Sequence, residues 1–228
     1  MNELISLYIE RVIEFAPKII DSLQESGIML TLASIAAILL GLPLGTLLYL
    51  TAPGKPLDKP WLNQLGNTLV NIVRSFPFLL LVVAMQPAIR AIYGRATGDP
   101  IAASFPMMLI AIALYARFVE QSLLEIPKGV LEVAESMGAT TRHLVFKFLF
   151  VEARSSLIIG FTSAFVSFIS YSTIMGVVGG GGIGDFAIRY GYQRYETDIM
   201  YTAIFIIIAF VQLVQWLGMK LAQHLDKR

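Results

Sequence analysis

Twenty-four consecutive residues, Gly27–Leu50 (GIMLTLASIAAILLGLPLGTLLYL), carry no charge. A helix needs about 20 such residues to cross the roughly 30 Å hydrocarbon core of a bilayer. Four more segments meet that length, at about 65–89, 101–122, 155–178 and 199–220. The second carries Arg74 alone, and the third carries Arg117 and Glu120 near one end. Composition agrees: 56% of the 228 residues are hydrophobic and 14% are charged, where a soluble domain has about 25% charged. The chain therefore reads as an all-α integral membrane protein with five transmembrane helices. Gly41, Pro43, Gly45, Pro77 and Pro106 lie inside the spans, where membrane helices tolerate them better than soluble ones do. Pro77 predicts a kink in the second span.

Five is odd, so the termini lie on opposite sides. With the N-terminus outside, nine of the 17 Lys and Arg fall in inner segments and six in outer ones, with Arg74 and Arg117 intramembrane. The positive-inside rule then predicts N-out, C-in. The first residues have no basic region ahead of an apolar core, so no cleaved signal peptide is expected. Within residues 1–22, Leu4, Leu7, Tyr8, Val12, Phe15 and Ile19 recur at helical spacing between charged residues. That pattern predicts an amphipathic helix on the outer leaflet, broken or kinked at Pro17.

Several classes of chemistry are excluded. Net charge is +1, which offers nothing to nucleic acid. There is no Cys, and the two His, at 143 and 224, are too scattered for a metal site. No G-x-x-x-x-G-K-[ST] occurs, so no P-loop is present and no cofactor is expected. Arg117 and Glu120 stand three apart on one helix face and can pair, and Arg74 can snorkel to the headgroups. Neither pattern is a proton relay. Energy for any transport would come from another polypeptide.

The segment between the third and fourth spans, 125–149, is expected inside. Pro127 stands where a helix begins and Gly138 where one ends. Val130, Ala134 and Met137 share a face, with Glu132 and Glu135 elsewhere. Thr140 or Thr141 can cap a second helix whose apolar face holds Leu144, Val145 and Phe148. Such a helix either lies among lipid headgroups or docks in a groove on a partner. The flanking glutamates disfavour an anionic leaflet and lean toward a protein.

Glu132-Val-Ala-Glu-Ser-Met-Gly138 resembles the EAA loop of ABC importer permeases, with Val133 in place of the middle alanine. LLEIPKGVLEVAESMGAT (123–140), NIVRSFPFLLLV (71–82), GLPLGTLLYLTAPG (41–54) and SYSTIMGVVGGGGIGDFAIRYGYQRY (170–195) together look like the methionine-importer permeases. Phe150-Val-Glu-Ala153 departs from the usual L-P-E-A-type turn, so re-entry into the fourth span is expected to differ in shape. The resemblance implies a type-1 transmembrane domain over about 23–224, a homodimer, two ABC ATPase subunits on the cytoplasmic side and an external substrate-binding lipoprotein. It also implies that Glu132, Ala134 and Gly138 form a coupling helix seated on the ATPase, with small Ala134 allowing close approach. Cargo of another amino acid or small solute, or a scaffold that recruits a partner through 127–149, are the competing readings.

The fourth span is the most polar of the uncharged segments, with Ser163, Ser167, Ser170, Tyr171, Ser172 and Thr173. These hydroxyls either bond back to carbonyls and pack, or line a path for a small amphipathic solute. Ile174 and Met175 would then form an apolar constriction. The run GVVGGGGIG follows, and Gly179, Gly181 and Gly184 match the G-x-G-x-x-G of a dinucleotide loop. That loop needs a strand before it, whereas a long apolar helix leads in here. Gly179, Gly180, Gly181 and Gly182 are expected to end the fourth span and turn the chain at the outer surface, near the docking site of a binding protein.

Overall fold

The computed structural model describes residues 2–226, with side chains from Ser6 onward. The side chain of Leu4, and two cations counted toward the inner side, Lys227 and Arg228, lie outside what is described. Every regular element among the described residues is helical. The chain forms two compact units. One gathers the chain up to Ser34 with Phe76–Leu109 and Val166–Leu213; the other gathers Ile35–Ser75, Ile110–Phe165 and the chain from Val214.

The N-terminal segment is not a separate helix, and it is not broken at Pro17. Helix α1 (Asn2–Ala36) passes through Pro17 without a break. A π-turn over Ala37–Gly41 joins it to α2 (Leu42–Thr51). The apolar stretch Ser6–Thr51 is thus one helical run of 46 residues, about 69 Å at 1.5 Å per residue and more than twice a bilayer core. Pro17 withholds one N–H from the ladder. Tertiary packing offsets this loss, because Phe15 and Ile19 on either side are buried against Ile183, Phe186, Ile199 and Ala203. The ring of Phe15 meets Phe186 and Tyr190 edge-on. Arg11 bonds Glu196 at 2.7 Å and Asp198 at 3.0 Å, and Tyr8 shares a hydrogen bond with Thr202. Phe15 and Ile19 of the amphipathic stripe thus face protein, while Leu7 and Tyr8 stay exposed.

The π-turn has a local cause. The N–H of Leu42 reaches back to Ala37, and Pro43 follows with no N–H to give. One extra residue in the turn absorbs that mismatch. Gly41 and Gly45 then face α5 (Pro100–Leu124). A Cβ on Gly41 would stand 2.9 Å from the Ile112 carbonyl, and one on Gly45 would collide with Ala116 and Val119. This is small-residue packing that lets two membrane helices approach closely.

The expected span 65–89 is not one helix. It divides into α3 (Pro60–Ser75) and α4 (Phe78–Tyr93). Pro77 sits between them in an extended conformation, with ψ 124°. Its carbonyl accepts from Leu80 and Leu81 and so starts the new helix. A full break replaces the expected kink. In the second unit, α3 is held by Val70, which packs with Leu48 and Ala113, and by Asn63, whose amide donates to the Leu48 carbonyl at 2.6 Å.

Two further long helices complete the set: α9 (Arg154–Val177) and α11 (Thr197–Leu225). Among the described residues four helices are long and apolar enough to cross a membrane, and the broken pair α3–α4 makes a fifth if taken as one span.

Candidate functional site

The loop between α5 and α9 folds as the spacing of Pro127 and Gly138 predicts. Helix α6 (Lys128–Ser136) starts directly after Pro127, whose extended backbone cannot continue the helix before it. Met137 closes the helix, and Gly138 adopts φ +67°. The Ala139 N–H donates to the Ala134 carbonyl at 3.0 Å, and the Gly138 N–H to Glu135 at 2.9 Å. This pair of bonds is the Schellman arrangement, which needs a left-handed residue after the cap. Thr140 then caps α7 (Thr141–His143), its hydroxyl accepting from the His143 N–H. A π-turn over Leu144–Leu149 and a short α8 (Phe150–Glu152) carry the chain to Ala153. Ala153 is buried with ψ near 0°, which is the form taken by the re-entry into α9.

Exposure sorts the residues of this loop. Ala134 is 1% exposed, and α6 packs on the π-turn at Leu144–Leu149. Its small side chain therefore packs inside this chain. Leu144 and Val145 are buried as expected, and Phe148 is half-buried. Met137 leaves the face it shares with Ala134 in a regular helix, because its backbone (φ −83°, ψ 0°) no longer follows α6. It is 72% exposed, and Val133 is 53% exposed. The outward surface is an apolar pair at spacing four, flanked by exposed Glu132, Glu135 and Ser136. Val133, which reads in sequence as the departure from E-A-A, is half of that pair.

In α9 the candidate pathway residues separate by side. Ser167, Tyr171 and Ile174, at helical spacing, are partly exposed. Ser172 is 1% and Met175 2% exposed. Met175 is therefore packed inside its unit. Three hydroxyls bond backward: Ser170 to Val166, Ser172 to Ile169 and Thr173 to Ser170. The Tyr171 ring lies 4.5 Å from Phe78, the first residue of α4 after the proline break.

The glycine run ends α9 as expected, and it also turns the chain back. Gly179, Gly181 and Gly182 have φ of +75°, +80° and +85°, a region closed to most residues with a Cβ. Gly180 is buried, its N–H donating to the Met175 carbonyl at 2.8 Å. Helix α10 (Gly182–Phe186) follows, continued by a π-helical stretch over Ala187–Tyr192. It lies backbone to backbone on the end of α9, since a Cβ on Gly176 would strike Gly184 and Asp185. The Gly182 N–H donates to Glu25 Oε2 at 2.7 Å and the Ile183 N–H to Ser26 Oγ at 2.9 Å. Side chains of this same chain thus occupy the amides that a nucleotide loop would offer to phosphate. Sequence reading missed Glu25 and Ser26, and no local signal marks them, because they act 157 positions away.

Arg117 and Glu120 pair as their spacing predicts. Arg117 also donates to Asn71 Oδ1 at 2.8 Å, tying α5 to α3. Arg74 is exposed.

The family model described as "Binding-protein-dependent transport system inner membrane component" matches residues 41–228. This chain belongs to that family. Relatives share much of its length. A protein of Pasteurella multocida named a probable D-methionine transport system permease is 41% identical, covering 91% of this chain and 95% of its own. The methionine import system permease protein of Bacillus subtilis is 36% identical, covering 80% and 82%. A solved structure titled as inward facing conformations of a methionine ABC transporter superposes with a TM-score of 0.89 at 34% identity, covering 92% of this chain and 96% of that one. A second solved structure, of an amino acid ABC transporter, shares the fold with a TM-score of 0.71 at 17% identity. Membership of the family accords with the several apolar helices and makes the chain a multi-pass membrane transport component.

Proposed function

We propose that this chain is the permease subunit of an ATP-driven ABC importer that carries methionine across the cytoplasmic membrane. The observation that carries the coupling part is the α6 turn. A helix pinned at both ends, by Pro127 and by the Gly138 Schellman turn, presents Val133 and Met137 outward with carboxylates beside them. An exposed apolar pair on a rigid short helix suits a groove on a soluble partner. That partner is an ABC ATPase, two copies serving a permease homodimer, and hydrolysis takes place there rather than on this chain. Glu132 borders the contact, Gly138 fixes its angle, and Ala134 seats the helix from within. A substrate-binding lipoprotein delivers cargo on the outer side.

Methionine as cargo is supported by the names of the relatives at 36–41% identity. In the pathway, Ser167, Tyr171 and Ile174 supply the solute-facing side of α9, while Ser172 and Met175 support it from the interior. Gly179–Gly182 form the external loop. The orientation is N-out, C-in, supported by the distribution of Lys and Arg.

The test is reconstitution of the chain in liposomes with its ATPase and binding protein, and measurement of radiolabelled methionine uptake. ATP-dependent accumulation, competed by unlabelled methionine and not by other amino acids, is the expected result. Uptake that persists without ATP refutes the ATP-driven reading. Accumulation competed equally by unrelated amino acids refutes the cargo.

A further inference from the structure

Positions 179–182 are all glycine, so no side chain within the run can hold its shape. Glycine also loses the most conformational freedom on ordering. The run is nevertheless fixed, and what fixes it lies elsewhere in the chain. The Gly98 N–H donates to the Gly179 carbonyl at 2.8 Å. Glu25 and Ser26, neighbours on α1, take the first two amides of the α10 turn at 2.7 and 2.9 Å. Those amides begin a helix and have no partner within it, and a carboxylate is their strongest acceptor.

The fit is tight on the loop side. A Cβ on Gly181 would stand 2.6 Å from Glu25 Oε2, and one on Gly182 2.7 Å from Ser26 Oγ. On its other side the α10 turn bears directly on α9: a Cβ on Gly184 would collide with the Thr173 backbone. The order of contact is α1, α10 turn, then the end of α9 that carries Tyr171–Met175.

We propose that Glu25 and Ser26 are positioning residues for transport, a latch by which α1 sets the glycine loop and, through it, the Tyr171–Met175 end of α9. With the latch closed, α1 and that end of α9 move as one. Independent motion of the loop requires the Glu25–Gly182 bond to open. This inference rests on the reading of α9 as the pathway helix.

The chain has no cysteine, so Ile183→Cys, at a position 3% exposed within the α10 turn, is a labelling site unique to this chain that becomes accessible when the turn opens. The assembled complex in liposomes is labelled with a membrane-impermeant maleimide, and rates are compared on that background. Glu25→Ala is expected to raise the rate by about tenfold or more, the size of losing a hydrogen bond to a charged group where labelling follows local opening. Glu25→Gln, whose amide oxygen still accepts, is expected to stay within about threefold of the parent, since a neutral bond is weaker but present. Ser26→Ala falls between them. An unchanged rate in Glu25→Ala, or Glu25→Gln as fast as Glu25→Ala, overturns the latch. Uptake is measured on the same variants: Glu25→Ala is expected to change the maximal rate with the KM for methionine held, and Glu25→Gln to restore it. Faster labelling with unaltered uptake overturns the role in transport. A parent complex that carries no methionine refutes the proposed function alone, because labelling still reads the latch.

Discussion

Gly138 is where a single backbone angle is expected to decide coupling. Its φ is +67°, and nothing lies within 4 Å of the position a Cβ would take. A substitution there meets no steric neighbour, so its effect is purely conformational. A left-handed residue with a Cβ costs about 1–2 kcal/mol, and a β-branched one more, because that region is nearly closed to it. Asparagine is the exception among side-chain-bearing residues and tolerates the region. A penalty of about 1–2 kcal/mol lowers the population of the closed turn by a factor of about 5–30. What is lost is the pair of bonds from Gly138 to Glu135 and from Ala139 to Ala134. The last turn of α6, which aims Met137, then frays. The series Gly138→Asn, Gly138→Ala and Gly138→Val is therefore expected to lose ATPase co-purification and ATP-driven uptake in that order. Membrane insertion stays intact in all three. If Gly138→Val retains both at the parental level, the coupling role of this turn is wrong. If Gly138→Asn fails as badly as Gly138→Val, bulk rather than φ is the cause and the conformational argument is refuted.

Phe15→Ala tests whether the N-terminal segment belongs to the core. Phe15 is 7% exposed against Phe186 and Tyr190, so truncation is expected to cost about 3–5 kcal/mol and lower the thermal midpoint in detergent. A midpoint unchanged within error returns residues 1–22 to the membrane surface. A reporter fused after Arg228 is expected to read as cytoplasmic, and an external signal reverses the orientation.

The helical class and the α6 turn were legible because their causes are local. An uncharged run such as Gly27–Leu50 has few options in water. Pro127 and Gly138 act through their own backbones, and Arg117 meets Glu120 through helical spacing. The continuation of residues 1–22 into α1 and the burial of Phe15 were not legible for a physical reason: an amphipathic stripe looks the same whether lipid or protein covers it. Phe15 and Ile19 found Phe186 and Ile199, far along the chain. The burial of Ala134 was not legible either, since a small residue permits close approach equally from within the chain or from a partner.

The amino-acid order alone determined that this chain is an all-helical membrane protein whose loop at 125–149 ends its first helix at a glycine. Those outcomes follow from hydropathy, helical period and backbone stereochemistry, which are properties of neighbours in sequence. Tertiary structure alone decided which face of each helix is covered. It put Ala134 and Met175 inside, Val133 and Met137 outside, and Glu25 and Ser26 on the amides of Gly182 and Ile183. No local rule predicts the last of these, because four glycines specify no conformation until another helix supplies the acceptors that choose one.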